Sequence, residues 1–329
     1  MIDGAPRTVV LALGAAERIR SELEQIPGIT VVERYAVSSA HDGETIISGL
    51  DGAWGVVAGS ERYSRDVLGA LPALKAILRW GTGSDAIDIP AATDAGVAVV
   101  TTPAVNAEAV ADMALALMLA CIRRLPELDA IVRSGDWRAL GPTRDLACST
   151  VGIVGLGAIG RAVTRRVRGF GCRVLAVEPN ADLGFCDEYE VELTSLDEML
   201  PQVDVLTLHA PATDSTRGLI GARELALLSP RAVLVNTARG ELIDQAALVR
   251  ALRHEQIAAA GLDVFEHEPP PRDDPILSAP NTVVSGHLSS YTDLGLERTG
   301  EMVIANLHEL LTGKLPASCL NPEAWSATR

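Results

Sequence analysis

Along most of this chain, short apolar runs alternate with segments of helical pattern, and this alternation limits the fold more than any other feature. Residues 8–13, 29–35, 55–58, 73–78 and 97–101 read as strands. Helices are expected between them at 15–25 and at 64–71, where Ser64 can act as the cap. The runs are apolar throughout rather than at every second position, the mark of strands in a parallel sheet covered by helices on both faces. Asn106 then opens an Ala/Leu/Met-rich helix over 107–124 that is apolar around most of its circumference. Such a helix must be buried widely, as at a domain junction or a subunit contact. Beyond the loop 134–149 a second series begins, with strands at 151–154, 173–177, 203–208, 232–235, 257–262 and 282–285 and helices that include 158–168 and 241–253.

After residue 285 only a helix over 289–311 and a Pro-containing tail remain. Roughly 40 residues cannot build a core of their own, so the tail is expected to return to the first half. The fold expected is α/β with two doubly wound parallel-sheet domains, a Rossmann domain inserted into a flavodoxin-like one. The outer domain is 1–104 plus 288–329 and the inner one 105–287.

Composition excludes several classes. A net charge of -15 argues against a footprint on nucleic acid. The longest apolar run, 113–122, is too short to cross a bilayer, and residues 1–20 lack the basic start and apolar core of a secretory leader. Five cysteines, odd in number and never in C-x-x-C spacing, read as reduced thiols of a cytoplasmic protein.

The second series opens on Gly155-Leu-Gly157-Ala158-Ile159-Gly160, a G-x-G-x-x-G between a strand and a helix. Gly155 permits the tight turn and Gly157 lets the backbone approach a pyrophosphate at the helix N-terminus. Gly160 allows the helix to pack close to the strand. The motif alone is weak, but its strand–helix–strand context makes it a dinucleotide fingerprint. Glu178 ends the next strand, eighteen residues beyond Gly160, where an acidic side chain accepts from the adenine-ribose hydroxyls and repels a 2′-phosphate. The cofactor expected is therefore NAD (NADH), with no metal.

Hydride transfer to a 2-oxo acid needs a cation for the carboxylate, polarisation of the carbonyl, and a proton for the developing alkoxide. Arginine suits the first two, because its planar fork pairs with a carboxylate and stays charged. Histidine suits the third, and a neighbouring carboxylate orients it. Those types stand at strand ends in the second half: Arg239 in V-N-T-A-R-G, Asp263 and Glu268 in G-L-D-V-F-E-H-E-P, and His287 in S-G-H-L-S-S. Each alone has a plainer reading, as a surface ion pair, a structural histidine or an acidic turn before prolines. Their convergence on one sheet edge, where open α/β sheets place ligands, favours a site.

These segments, with 77–88, T-T-P-A-V-N-A-E-A-V-A-D and L-H-A-P-A-T, resemble the D-isomer-specific 2-hydroxyacid dehydrogenases, including D-3-phosphoglycerate dehydrogenase, over nearly the whole chain. The resemblance implies a D-2-hydroxy/2-oxo acid as substrate and Arg239 as binder of its carboxylate and carbonyl. It implies His287 as the acid/base with Glu268 as its partner, and Asp263 as a contact to the nicotinamide carboxamide. It adds Pro211, Thr216 and Thr237 to Gly155, Gly157, Ala158, Ile159, Gly160 and Glu178 as cofactor-side positions. Arg79, Gly81, Thr82, Gly83 and Asn106 match substrate-side positions. A homodimer joined through the NAD-binding domain is also implied.

Two departures bear on the substrate and the active-site turn. Where phosphoglycerate dehydrogenases commonly carry an Arg-Ser pair, this chain reads Val57-Ala58-Gly59-Ser60-Glu61-Arg62, so a phosphate handle would have to come from Arg62, Arg65 or Arg79. The usual Pro before the histidine is Gly286, which is expected to loosen that turn. The alternative is a family member acting on a phosphonate or phosphite-type anion, which the retained residues do not separate; a non-catalytic NAD(H)-sensing module, which can retain the same residues, stands behind it.

Overall fold

The computed structural model describes residues 6–37, 42–138 and 140–326. The chain divides into two compact units, Met1–Asn106 with Thr292–Arg329, and Ala107–Tyr291. Residues 1–5 and 327–329, the ends of the expected outer domain, lie outside the described residues.

The first unit is built on five parallel strands, β1 (Arg7–Leu11), β2 (Ile29–Glu33), β3 (Gly55–Ala58), β4 (Ala76–Arg79) and β5 (Ala98–Val100), in the order β2-β1-β3-β4-β5. Strands β1, β3, β4 and β5 are apolar on both faces because both are covered, whereas the edge strand β2 is only partly buried. Val10, Val56, Ile77 and Val99 face one core, and Val9, Leu11, Val57, Leu78 and Val100 face the other. The helix expected at 15–25 is instead a 3₁₀ turn, Gly14–Ile19, followed by a short α-helix, Arg20–Leu23. Leu13 offers no capping side chain, and the uncapped first turn tightens. Ser64 does cap the helix Arg65–Gly69, its Oγ accepting from the Val67 N–H.

The C-terminal segment belongs to this unit. Helix Asp293–Leu311 supplies Val303, Leu307 and Leu310 to the second of its cores. The helix starts later than residue 289, because Thr292 caps it by accepting from Gly295 N–H at 3.0 Å. The tail then locks onto β5. The fully buried Asn321 accepts from Val99 N–H at 2.8 Å and donates to the Val97 carbonyl at 2.9 Å and to Thr93 at 3.1 Å.

The second unit carries seven parallel strands: β6 (Thr150–Val154), β7 (Arg173–Val177), β8 (Val191–Leu193), β9 (Val205–Leu208), β10 (Val233–Asn236), β11 (Ala259–Leu262) and β12 (Thr282–Val284). Their order is β12-β11-β10-β9-β6-β7-β8, so the direction of winding reverses between β6 and β9. The apolar helix Ala107–Ile122 lies on this sheet and against helix Ala158–Gly169. It sits so close that a Cβ on Gly261 would fall 2.8 Å from Leu117 Cβ. Glu108 and Asp112 fasten it to Arg165 and Arg166 through ion pairs of 2.5–2.7 Å. Among the described residues no helix is long and apolar enough to cross a membrane, and all five cysteines are free thiols.

Candidate active site

Strand register places the candidate residues of the second unit on one line. Val177, Val154, Leu208, Asn236, Leu262 and Val284 pair successively across the sheet. The residues that follow them, Glu178, Gly155, His209, Thr237, Asp263 and Ser285, therefore stand side by side one step beyond its carboxyl edge. The gap between β6 and β9 in this row is the switch point at which open α/β sheets bind ligands.

At that gap Gly155 has φ +93°, and a Cβ there would lie 2.7–2.8 Å from the His209–Ala210 backbone, so only glycine fits. Gly160 is equally constrained, its would-be Cβ falling 2.1 Å from the Gly155 carbonyl oxygen. Gly157 meets nothing within 4 Å, so the space above it is open. Ala158, Ile159 and Gly160 form the first turn of helix Ala158–Gly169, where backbone N–H groups lack intrahelical acceptors. Glu178 accepts from Leu156 N–H at 2.9 Å and Asn180 N–H at 3.0 Å, one bond per oxygen, so each oxygen keeps a lone pair. Nearby Arg161 is engaged with Asp182 at 3.0 Å and lies over the Phe185 ring. Thr216 ties its own loop to the Pro211 carbonyl at 2.6 Å. Thr237 Oγ1 is buried without a partner, the kind of atom a bound ligand satisfies. Open space over a glycine, free lone pairs and an orphaned hydroxyl along one edge fit a dinucleotide.

Farther along the row, His287 and Glu268 meet. His287 Nδ1 lies 2.6 Å from Glu268 Oε2, and Glu268 Oε1 accepts from Phe265 N–H at 3.0 Å. Both side chains are substantially exposed. His287 adopts φ +55°, a left-handed conformation that costs a non-glycine residue and needs support. Asp263 supplies it. Its fully buried carboxylate accepts from Ser285 Oγ (2.6 Å), Leu288 N–H (2.9 Å) and Ser289 N–H (3.0 Å), and its carbonyl accepts from His287 N–H (2.7 Å). The turn that Gly286 was expected to loosen is thus held from below.

Arg239 sits on a turn shaped by the buried Asn236, which donates to the Arg239 carbonyl at 2.8 Å and accepts from Ala238 N–H at 3.0 Å. The guanidinium donates to the Ala238 carbonyl at 2.7 Å. Next to it, Gly240 rests on the peptide between Phe265 and Glu266, with only 1.9–2.4 Å between that backbone and a would-be Cβ. The turns carrying Arg239 and Glu268 are in backbone contact, which the sequence did not announce.

Sequence reading passed over His209. Its Nε2 lies 2.9 Å from Thr207 Oγ1, its Nδ1 is buried without a partner, and burial pushes its pKa down to about 3. It therefore stays neutral beside the glycine turn. Its place directly after a strand, across the sheet from Gly155, was the available signal.

The remaining candidates belong to the first unit. Arg79 closes β4 and donates to the Trp80 carbonyl at 2.6 Å. Gly81 follows with φ +133°, its N–H on Thr102 Oγ1 at 2.9 Å, while Thr82 Oγ1 donates to the Thr102 carbonyl at 3.3 Å and Gly83 continues the loop. Asn106 Oδ1 is buried without a partner.

Residues 115–289 match the family described as D-isomer specific 2-hydroxyacid dehydrogenase, NAD binding domain. The chain belongs to that family. The dehydrogenase is 41% identical over 263 residues to a glyoxylate reductase of Korarchaeum cryptofilum, covering 78% of this chain and 79% of that one. It is 37% identical to a D-3-phosphoglycerate dehydrogenase of Methanocaldococcus jannaschii, a match spanning 81% of this chain but only 51% of the relative. Its fold superposes on a D-lactate dehydrogenase of Aquifex aeolicus, solved with NAD and lactic acid, with a TM-score of 0.86 and 25% identity over 96% of this chain and 99% of that one. This dehydrogenase is an NAD-dependent oxidoreductase with two parallel-sheet α/β domains. Among the described residues no cluster of three or more His, Cys, Asp or Glu side chains could hold a metal ion.

Proposed function

We propose that the dehydrogenase reduces a small 2-oxo acid to its D-2-hydroxy acid, with Arg239 holding the substrate carboxylate and His287 delivering the proton. The observation that carries this reading is the His287–Glu268 pair, 2.6 Å apart, in line with the glycine turn along one sheet edge. Gly155, Gly157, Ala158, Ile159 and Gly160 would cradle the pyrophosphate and Glu178 the adenine ribose. Pro211, Thr216, Thr237 and Asp263 would line the nicotinamide end. When bound, the cofactor supplies the hydride for C2 of the substrate. Glu268 accepts at Nδ1, so Nε2 of His287 is the atom left to hold a proton for the substrate oxygen. Asp263 and Asn236 fix the turns on which His287 and Arg239 ride. Arg79, Gly81, Thr82, Gly83 and Asn106 form the substrate side of the first unit.

The test is NADH oxidation across a panel of 2-oxo acids, glyoxylate and pyruvate among them. His287→Asn keeps the left-handed backbone accessible, removes the proton donor and should lower kcat by about 10²–10⁴. Arg239→Gln should raise KM and lower kcat together. Near-normal rates in both variants would overturn the assignment.

We also propose a homodimer through the second unit, in the cytosol. Leu125, Val132 and Trp137 fall within one short stretch and are 58, 53 and 88% exposed, an apolar surface suited to a partner copy. A monomer in sedimentation at micromolar concentration would refute it.

A further inference from the structure

The loop after Glu178 carries a second carboxylate, Asp182, and an arginine occupies it. Asp182 Oδ2 accepts from Arg161 Nη1 at 3.0 Å, while its Oδ1 caps the short helix Leu183–Glu188 by accepting from Phe185 N–H at 3.2 Å. Arg161 stands directly after Gly160, the last glycine of the fingerprint. Its Nε donates to the Leu156 carbonyl at 3.1 Å, and its guanidinium lies over the Phe185 ring, 5.3 Å from the centroid. That ring is itself stacked on Tyr189, with 4.6 Å between centroids. Among the described residues nothing else bonds this guanidinium, so both hydrogens of Nη2 remain available.

Arg161 and Glu178 are neighbours through a single residue. Glu178 Oε2 accepts from the Leu156 N–H at 2.9 Å, and Arg161 donates to the carbonyl of that same leucine. The edge on which the adenine ribose would rest thus holds two carboxylates and one guanidinium, a surplus of negative charge. Unpaired, Arg161 would suit a phosphate on that ribose, because a guanidinium forks onto phosphate oxygens. Here the Leu156 carbonyl and the Phe185 ring hold it in place, and Asp182 cancels its charge. The pair is 35% and 49% exposed, so water screens it and its effect on a ligand is moderate.

We propose that the Arg161–Asp182 pair is a second determinant of cofactor choice, layered behind Glu178. Glu178 repels a 2′-phosphate, and Asp182 neutralises the guanidinium that could have held one. Loss of Glu178 alone therefore does little to admit NADP, since the cation beside it stays balanced; both carboxylates must go. NAD is indifferent to the pair, because its ribose presents only hydroxyls to this edge. The inference rests on the reading of Glu178 as the acceptor of the adenine ribose.

The test measures Kd for ADP-ribose and 2′-phospho-ADP-ribose by calorimetry, two probes that carry the adenine end of the cofactor and no hydride chemistry. The wild-type protein should favour ADP-ribose. Glu178→Gln should narrow that preference, and Glu178→Gln/Asp182→Asn should narrow it about ten-fold further, as one uncompensated charge acts on a dianion. Asparagine and serine both retain a helix cap, so Asp182→Asn and Asp182→Ser should each keep the wild-type melting temperature within a few degrees. Adding Arg161→Gln to the double variant should abolish the second gain, and added salt should shrink it. A folded double variant no better than Glu178→Gln, or a gain that survives Arg161→Gln, would overturn the inference while leaving Glu178 as the ribose acceptor. A preference unchanged in Glu178→Gln, or a wild type that binds the two probes alike, would instead overturn that reading, and this inference with it.

Discussion

Replacing Gly240 with alanine tests whether the backbone contact between the Arg239 and Glu268 turns matters to the chemistry. The new Cβ would lie 1.9 Å from the Phe265 carbonyl carbon, 2.0 Å from its oxygen and 2.4 Å from Glu266 N. Ordinary carbon contacts are near 3.5 Å, so the two turns must part by roughly 1.5 Å. The obstacle is backbone on both sides, and no side chain can swing away to relieve it. Overpacking of this kind costs about 1–3 kcal/mol, which lowers the melting temperature by about 2–12 °C for a unit of this size. The functional loss should be larger, because displacing catalytic groups by about 1 Å costs on the order of 10²-fold. Arg239 and Glu268 move apart together, so kcat should fall and KM for the 2-oxo acid should rise in the same variant. Thermal denaturation and NADH-oxidation kinetics on the purified variant measure both. A Gly240→Ala protein with wild-type melting temperature and kcat/KM within about two-fold would show that the contact is slack.

Gly157→Ala provides the contrast. Nothing lies within 4 Å of that Cβ, so stability should hold while NADH affinity, read by fluorescence titration, falls at least ten-fold. Asp263→Ala strands Ser285 Oγ and the N–H groups of Leu288 and Ser289, which should cost on the order of 3–5 kcal/mol in denaturant and abolish most turnover. Asn321→Ala removes three buried hydrogen bonds and should destabilise the first unit by about 2–4 kcal/mol, seen as an earlier transition in a denaturation curve. For His209, the folded pKa near 3 lies below the unfolded value, so the unfolded chain binds the extra proton as pH falls through 6.5. Its contribution should lower stability by about 2 kcal/mol between pH 7.5 and pH 5, and His209→Gln should lose that part of the pH dependence.

The strands and the candidate site side chains were legible because each leaves a local mark. Buried parallel strands are continuous apolar runs, and Gly155, Arg239, Glu268 and His287 stand in short motifs. The helices Gly43–Leu50 and Ile89–Asp94 were not read, since each is only two turns or so long and is announced by little beyond the aspartate cap before it, Asp42 or Asp88, with Pro90 at the start of the second. Strand β8 has only three residues, two of them exposed, and gives no apolar run. The helix expected at 241–253 begins at Gln245, because Asp244 caps it and Gly240–Leu242 forms a separate 3₁₀ turn. The holding role of Asp263 was invisible for a different reason. Its partners lie 22–26 residues away, and no spacing rule connects a strand end to the turn after the next strand.

The lock between Asn321 and β5 has a consequence for the order in which the chain acquires its shape. One face of the first sheet is covered by Val303, Leu307 and Leu310, and the backbone of Val97 and Val99 is satisfied by a side chain more than two hundred residues further on. During synthesis, Val9, Leu11, Val57, Leu78 and Val100 leave the ribosome long before the helix that shields them. The intervening Ala107–Tyr291 unit has all seven of its strands by then. The half made first is therefore the half finished last, and a nascent chain stalled short of residue 293 would carry a sheet face covered only in part, by Ala16, Ile19 and Leu23, and otherwise open to chaperones or neighbouring chains.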